Sequence, residues 1–208
     1  MAAEQTRRPL IAKPDAPTTS DSKVVFLVRH AESLQNVAMR RLSRCDCGAL
    51  PAFVTLGQDP ALSPVGVGML DGCEPAARAL LAGRQIELVV HSPLQRARQT
   101  AEHLFGGSGV QMVELENAYE LTAQEYLICL LSIDQRLRAV ERWLAARRER
   151  VIVLVGHEHF FKRALNRHEG IPNVGCVQCS CDAQTGRLFP VCDISFKSAP
   201  EQHSDALV

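Results

Sequence analysis

The chain of 208 residues has 23 Lys and Arg residues, 23 Asp and Glu residues and 46% hydrophobic residues. This length suits one domain with a substantial core, and the composition argues against a disordered or fibrous chain. The balanced charge gives no reason to expect nucleic acid or an anionic membrane as a partner. The sequence has no apolar run of the roughly 18 residues that span a bilayer, and its N-terminal segment lacks a signal-peptide core. We therefore expect a cytoplasmic protein.

The chain is predicted to form one domain between two tails. Residues 1–22 and 196–208 are polar, so both segments are expected to be flexible. Within the domain at residues 23–195, three short apolar runs rich in β-branched residues predict buried strands, at residues 23–28, 86–90 and 151–155.

Helical patterns separate the predicted strands. Ser63 and Ser92 are each followed by proline, and a serine N-cap with proline in the first turn is typical of a helix start. Further along, apolar residues form one stripe of a predicted helix, at Ile133, Leu137, Val140 and Leu144. Strands that alternate with helices of this length predict a three-layer α/β/α sandwich with a mostly parallel central sheet.

Charged and titratable residues follow each predicted strand. Arg29 and His30 come directly after the first strand. Arg96 lies shortly after the second strand, and His157 follows the third. In an open parallel sheet, the residues beyond the carboxyl ends of the strands share one crevice, where ligands bind. Helices also begin there, and their free N–H groups favour an anion, so the sequence indicates a phosphate site.

These residue types suit the transfer of a phosphoryl group. Arginine binds two phosphate oxygens at once and stays charged, so Arg29 and Arg96 are expected to hold the group. A neutral histidine can attack phosphorus, which makes His30 the candidate nucleophile. A second, protonated histidine at His157 is expected to stabilise the charge that develops on the phosphoryl oxygens. Because side chains supply the cations, we expect neither a bound metal nor a cofactor.

Four segments resemble motifs of the histidine phosphatase superfamily. Residues 27–36 (LVRHAESLQN) resemble its Arg-His-Gly signature, with Ala31 in place of the usual glycine. Residues 59–66 are similar to the segment that precedes the family's first long helix. Residues 92–101 are similar to the segment that carries its second catalytic arginine, and residues 155–157 to the one that carries its second catalytic histidine. All four occur in the family's order.

The resemblance implies a mechanism in two steps. The phosphoryl group would pass to His30 as a phosphohistidine, which water then hydrolyses. Arg29, Arg96 and His157 would form the phosphate pocket, with Asn36 as a further contact.

The proton donor to the leaving group is open between two glutamates. In the family this residue is usually a carboxylate that follows the next strand, which lies here at about residues 110–115. Glu116 and Glu120 both qualify, and their spacing favours Glu120. His159 stands where family members often have a small or apolar residue, so it is a candidate to touch the substrate.

Several activities remain open. The sequence lacks the long insertions with which the mutase branch encloses a phosphoglycerate, so we favour hydrolysis of a phosphomonoester, with a phosphorylated small molecule as the substrate. The alternatives are a phosphoglycerate-mutase-type transferase, a protein phosphohistidine phosphatase that acts on a phosphoprotein, and a catalytically poor phosphate-binding module. The oligomeric state is not predicted.

Eight cysteines raise the question of a zinc site. Thiolates are available from Cys45, Cys47, Cys176, Cys179 and Cys181, but their spacings fit a structural zinc site poorly. Cytoplasmic thiols are kept reduced, so a disulfide framework is not expected either. We predict that these cysteines bind no metal.

Overall fold

A computed structural model of the protein describes residues 22–44, 46, 59–120 and 131–196. The strands within these ranges are β1 (Ser22–Arg29), β2 (Leu88–His91), β3 (Gln111–Glu114), β4 (Val151–Gly156), β5 (Cys176–Asp182) and β6 (Leu188–Ile194). The helices within them are α1 (Leu34–Ser43), α2 (Pro64–Arg84), α3 (Gln95–Phe105), α4 (Leu131–Ala146) and α5 (Glu158–Leu165), with a 3₁₀ turn at Glu116–Ala118.

The strands of the described ranges form one sheet in the order β3-β2-β4-β1-β5-β6. The pairs β3–β2, β2–β4 and β4–β1 are parallel, and the pairs β1–β5 and β5–β6 are antiparallel. The predicted mostly parallel sheet is therefore confirmed. The parallel register aligns Arg29 with Gly156, and His91 with Val155. The chain thus leaves β1, β2 and β4 at one edge of the sheet, where the predicted site residues follow.

Helices cover both faces of the sheet and make the three predicted layers. Successive strand residues point to opposite faces. Leu27 packs in a cluster with buried residues of α4 and α5, and the neighbouring Phe26 packs in a second cluster with buried residues of α2 and α3. Burial of such a side chain contributes about 1.5–3 kcal/mol. The predicted stripe on α4 is confirmed, because its members are buried or partly buried: Ile133, Leu137, Val140 and Leu144.

The two predicted helix starts have different outcomes. Ser63 is the N-cap of α2, and its hydroxyl oxygen accepts from the Gly66 N–H at 3.0 Å. The prediction for Ser92 is wrong, because α3 begins at Gln95 and Leu94 occupies its N-cap position. The Ser92 hydroxyl has a partner from another part of the chain, which lies in the site described below.

Helix α4 is tied to β1 by a buried lysine. The Nζ of Lys23 donates to the carbonyl oxygens of Leu144 at 2.6 Å, Ala145 at 3.0 Å and Arg147 at 2.5 Å. The last carbonyls of a helix lack partners within the helix, and a positive charge there is favourable. This contact fixes α4 relative to the strand that leads to His30.

The described domain reaches one residue beyond each predicted boundary. Ser22 is part of β1, and Phe196 is buried in the cluster formed with α2 and α3. The rest of both predicted tails lies outside the described residues. Among the helices of the described ranges, none is long and apolar enough to cross a membrane.

Candidate active site

His30 follows β1 directly and is buried. Its Nδ1 lies 2.6 Å from the carbonyl oxygen of Ala31. Since a carbonyl oxygen can only accept a hydrogen bond, Nδ1 carries the proton and Nε2 keeps its lone pair. Burial, followed by the charge of Arg96, lowers the pKa of His30 to about 3. His30 therefore presents a neutral, nucleophilic Nε2 near pH 7.

Two arginines lie beside His30. Arg96, in the first turn of α3, donates from Nε to His30 Nε2 over 3.3 Å. The Nη1 of Arg29 donates to the carbonyl oxygen of Ile171 at 2.6 Å and pairs with Glu158 Oε2 at 2.7 Å. Burial lowers the pKa of both arginines, but arginine stays charged at neutral pH. Both positive charges act on His30.

His157 follows β4 and is fully buried, with its ring centre 5.1 Å from that of His30. Its Nε2 lies 2.7 Å from the hydroxyl oxygen of Ser92, which also accepts from the Leu94 N–H at 3.2 Å. We assign the Ser92 hydroxyl as the donor to His157 Nε2, which places the ring proton on Nδ1. Burial, followed by the charges of His30 and Arg96, holds the pKa of His157 well below its usual value. The ring is thus neutral, whereas the sequence predicted a protonated one.

Three donor atoms of this cluster are buried without a hydrogen-bond partner in the part of the chain that the structure describes. They are Arg29 Nε, Arg96 Nη1 and His157 Nδ1. An unpaired buried polar group costs about 1–3 kcal/mol, and such groups are rare in folded proteins. Two of the three belong to cations, so an anion with several acceptor oxygens would satisfy them. A phosphate group fits this donor set.

Two asparagines lie next to the His30 backbone. The Oδ1 of Asn36 accepts from the backbone N–H and the hydroxyl of Ser33, in the capping box of α1. Asn173 donates from Nδ2 to the His30 carbonyl oxygen at 2.9 Å and to Asn36 Oδ1 at 3.5 Å. Because its Oδ1 is occupied, Asn36 is left with Nδ2 as a donor. This arrangement is compatible with the predicted phosphate contact of Asn36, which stays a prediction.

The site lies mostly within a region that matches a known family. The sequence profile of the histidine phosphatase superfamily (branch 1) matches residues 25–127. The chain belongs to the histidine phosphatase superfamily. The matched region contains His30 and both arginines, and β4 carries His157 to the same edge of the sheet.

A curated relative matches a shorter stretch. Phosphoglycerate mutase-like protein 2 of Arabidopsis thaliana is 35% identical over 88 residues, which are 42% of this chain and 24% of the relative. The matching stretch therefore spans about a quarter of the relative's length.

Solved structures share the fold. YhfR of Bacillus stearothermophilus has a TM-score of 0.60 at 15% identity, and the match covers 85% of this chain and 98% of that one. A mycobacterial glucosyl-3-phosphoglycerate phosphatase in complex with VO3 has a TM-score of 0.56 at 21% identity, with 85% and 100% covered. At these identities the likeness shows the histidine phosphatase fold alone.

The two candidate proton donors occupy different positions. The negative charge of Glu120 acts on His30, Arg29 and Arg96, where it opposes the fall of their pKa values. Glu116 is exposed in the 3₁₀ turn, and its charge is not among the causes of these three pKa shifts within the described residues. The structure therefore brings Glu120, rather than Glu116, near the pocket.

The Glu120 carboxylate lies at the start of α5. Its Oε1 accepts from the Phe160 N–H at 3.3 Å, and its Oε2 lies 3.3 Å from Nδ1 and 3.5 Å from the backbone N of His159. The free N–H groups and the positive dipole end of a helix attract a carboxylate. The hydrogen bond with Glu120 raises the pKa of His159. His159, a candidate substrate contact in the sequence, thus has Glu120 as a partner.

The loop after His30 is fastened to the start of α2. The buried Glu32 pairs with Arg40 and accepts from the Ser63 hydroxyl at 2.8 Å, and these contacts lower the pKa of its carboxyl group, with the larger effect from Arg40. Its carbonyl oxygen accepts from the Ser63 N–H at 2.9 Å. That oxygen leaves room only for glycine at Gly66, because a Cβ there would lie 2.0 Å from it.

The sequence did not reveal three residues that support the site. Ser92 was predicted as a helix cap, and Asn173 and Glu32 were assigned no role. A polar residue directly after a buried strand, as at Ser92, is a usable signal. The contacts of Asn173 and Glu32 join residues 143 and 31 positions apart, and such contacts leave no local pattern.

Three buried cysteines lie on β5. Burial raises the pKa of Cys176, Cys179 and Cys181, to about 12 for Cys179 and about 11 for Cys181. They are therefore protonated thiols near pH 7, whereas the thiolate is the metal ligand. Among the described residues, no group of three or more His, Cys, Asp or Glu side chains could hold a metal ion. Cys45 and Cys47 lie outside the described residues.

Proposed function

We propose that this protein is a phosphatase that hydrolyses a phosphomonoester of a small molecule through a phosphohistidine at His30, without a metal ion or a cofactor. One observation carries the proposal. The lone pair of His30 Nε2 lies in a cluster with three buried donors that have no partner among the described residues. Membership of the histidine phosphatase superfamily supports it.

The first step transfers the phosphoryl group to the protein. Arg29 and Arg96 neutralise the phosphoryl oxygens, and the Nδ1–H of His157 donates to one of them. The lone pair of His30 Nε2 attacks phosphorus in line, so the P–N bond forms as the P–O bond to the alcohol breaks. Glu120, in its protonated form, gives its proton to the departing oxygen. An anionic substrate beside a carboxylate favours that protonated form.

The second step returns the protein to its starting state. Water attacks phosphorus on the side opposite His30, and the P–N bond breaks with its electron pair returning to Nε2. The Glu120 carboxylate, left ionised by the first step, accepts the proton of the water. Inorganic phosphate leaves, and both side chains regain their starting protonation.

Hydrolysis and transfer differ in the molecule that accepts the phosphoryl group from His30 in the second step. If a second alcohol replaced water, the same intermediate would give a mutase-type reaction. The lack of the long mutase insertions in the sequence supports water as the acceptor.

The first experiment measures hydrolysis of p-nitrophenyl phosphate by the purified protein in the presence of EDTA. We expect turnover by the wild type and a loss of at least about 10⁴-fold in His30→Ala. An acid quench during turnover is avoided because phosphohistidine is acid-labile, so the intermediate is sought after an alkaline quench. The control is His103→Ala, which removes a histidine of α3 that pairs with Asp71 away from the pocket.

The outcomes separate the candidate activities. Activity that survives in His30→Ala, or that EDTA abolishes, contradicts the proposed mechanism. A folded wild type that binds phosphate but turns over no ester is a binding module instead. Phosphoryl transfer to an added alcohol in preference to water indicates a mutase-type enzyme.

A further inference from the structure

We propose that Arg136 is a positioning residue for the proton donor Glu120. This inference rests on the proposed function, in which Glu120 protonates the leaving group. Arg136 lies in α4, and its side chain is buried. It acts through the residues that immediately precede Glu120.

The guanidinium group of Arg136 contacts this preceding segment in two ways. Its Nη1 donates to the carbonyl oxygens of Tyr119 at 2.7 Å and Asn117 at 3.4 Å. Its central carbon also lies 3.8 Å from the centre of the Tyr119 ring, within cation–π distance. A planar guanidinium that binds the backbone and stacks on the ring fixes the position and the orientation of Tyr119. Because Tyr119 is bonded to Glu120, the same contacts fix the Glu120 backbone.

Phe160 links this support to the start of α5. The central guanidinium carbon of Arg136 lies 5.8 Å from the centre of the Phe160 ring. The backbone N–H of Phe160 donates to Glu120 Oε1 at 3.3 Å. Arg136 therefore holds the backbone of the proton donor, while the first turn of α5 holds its carboxylate.

Proton donation tolerates little displacement of the donor. A general acid has to lie within about 2.6–3.2 Å of the departing oxygen. A misplacement of about 1 Å can lower the rate about 100-fold. The segment before Glu120 is only a 3₁₀ turn, at Glu116–Ala118, so we expect its position to depend on the contacts of Arg136.

The test compares two substrates of similar shape that differ in their leaving group. Phenolate is the more basic leaving group and departs more readily with a proton, whereas p-nitrophenolate leaves without one. For both phosphates, kcat/KM reports the steps through phosphoryl transfer to His30. Arg136→Met removes the charge and the planar fork, and Arg136→Lys keeps the charge. The matched control is Arg163→Met, which breaks a different α4–α5 contact, the 2.7 Å pair with Asp134.

We expect Arg136→Met to lower kcat/KM for phenyl phosphate about 10- to 100-fold and for p-nitrophenyl phosphate less than about 3-fold. Arg136→Lys should recover part of the loss. The charge of Arg136 is the smallest of those that act on His157, so inhibition by inorganic phosphate should change far less than kcat/KM for phenyl phosphate. A merely structural role would lower both values together. Equal losses on the two substrates, or the same split in Arg163→Met, would overturn the inference.

A second pair of variants tests the inference if Arg136→Met does not fold. Tyr119→Leu removes the ring that Arg136 contacts, and Tyr119→Phe keeps it. We expect Tyr119→Leu, but not Tyr119→Phe, to lower kcat/KM for phenyl phosphate more than for p-nitrophenyl phosphate, which we call a leaving-group split. Equal kinetics in the two variants would contradict the inference. If His30→Ala retains activity, the proposed function fails. If His30→Ala is inactive and no split appears, the inference alone fails.

Discussion

Two regions of the molecule are held by different kinds of contact: the candidate phosphate pocket around His30 and the segment that carries Glu120. In the pocket, His30 and His157 directly follow buried strands, whose parallel pairing places them at one edge of the sheet. Glu120 instead follows a 3₁₀ turn and is held by Arg136 of α4 and by the first turn of α5. The sheet thus positions the candidate nucleophile, whereas the covering helices position the candidate proton donor.

This difference separates two parts of the proposed reaction, the binding of the phosphate group and the protonation of the leaving group. Strands buried on both faces tolerate little movement, so the pocket offers the same donor set to every phosphate ester. Glu120 is instead held by a few separate contacts, so the loss of one of them displaces the proton donor and leaves the pocket unchanged. We therefore expect pocket variants to affect all substrates alike and variants around Glu120 to discriminate by leaving group.

Among the variants that test this comparison, Glu120→Gln is expected to have the largest effect. Glutamine keeps the shape of the side chain but cannot donate the proton, so kcat/KM for alkyl phosphates should fall about 10²- to 10⁴-fold. The loss for p-nitrophenyl phosphate should stay below about 10-fold, because its leaving group needs no proton. Steady-state kinetics with both kinds of ester measure the split. Glu116→Gln is the control. If that variant, and not Glu120→Gln, shows the difference between the two esters, Glu116 is the proton donor.

Arg96→Met is expected to have a somewhat smaller effect that does not depend on the leaving group. It removes a donor that lies 3.3 Å from His30 Nε2, and loss of one such donor costs about 10²- to 10³-fold in rate. Inhibition by inorganic phosphate should weaken as well. Arg98→Met serves as the control, because Arg98 lies on the same helix and pairs with Glu102. A leaving-group split in Arg96→Met would contradict the comparison between the two regions.

The smallest effect concerns stability and pH. The hydrogen bond with Glu120 raises the pKa of His159 in the folded protein, so its contribution is fully present below the unfolded pKa of about 6.5 and is lost as the pH rises through the folded pKa. His159→Ala should therefore lower the free energy of unfolding at pH 5.5 but not at pH 8.5. Because the side chain is half exposed, the difference should be less than about 1 kcal/mol.

Urea unfolding at the two pH values measures this difference. His168→Ala, which removes an exposed histidine elsewhere, is the control. A destabilisation of His159→Ala that is equal at the two pH values would show that the contact with Glu120 does not depend on the charge of His159.

The sequence predicted best where the deciding contacts are local. Residues 23–28 and 151–155 are apolar at successive positions, as strands buried on both faces require, and β1 and β4 are such strands. The Ser63 cap was also predictable, because its partner is three residues away. The same local rule failed at Ser92, since the hydroxyl there contacts His157, 65 residues away.

By itself, the sequence determined the three parallel strands β1, β2 and β4 and the residues that follow them, His30, Arg96 and His157 among them, because strand ends are read from neighbouring residues. Only the tertiary structure decided which glutamate lies near the pocket and that His157 is neutral. It also revealed Arg136, which no motif marks. These properties depend on burial and on distances between segments far apart in the chain, and those are set only when the helices pack on the sheet.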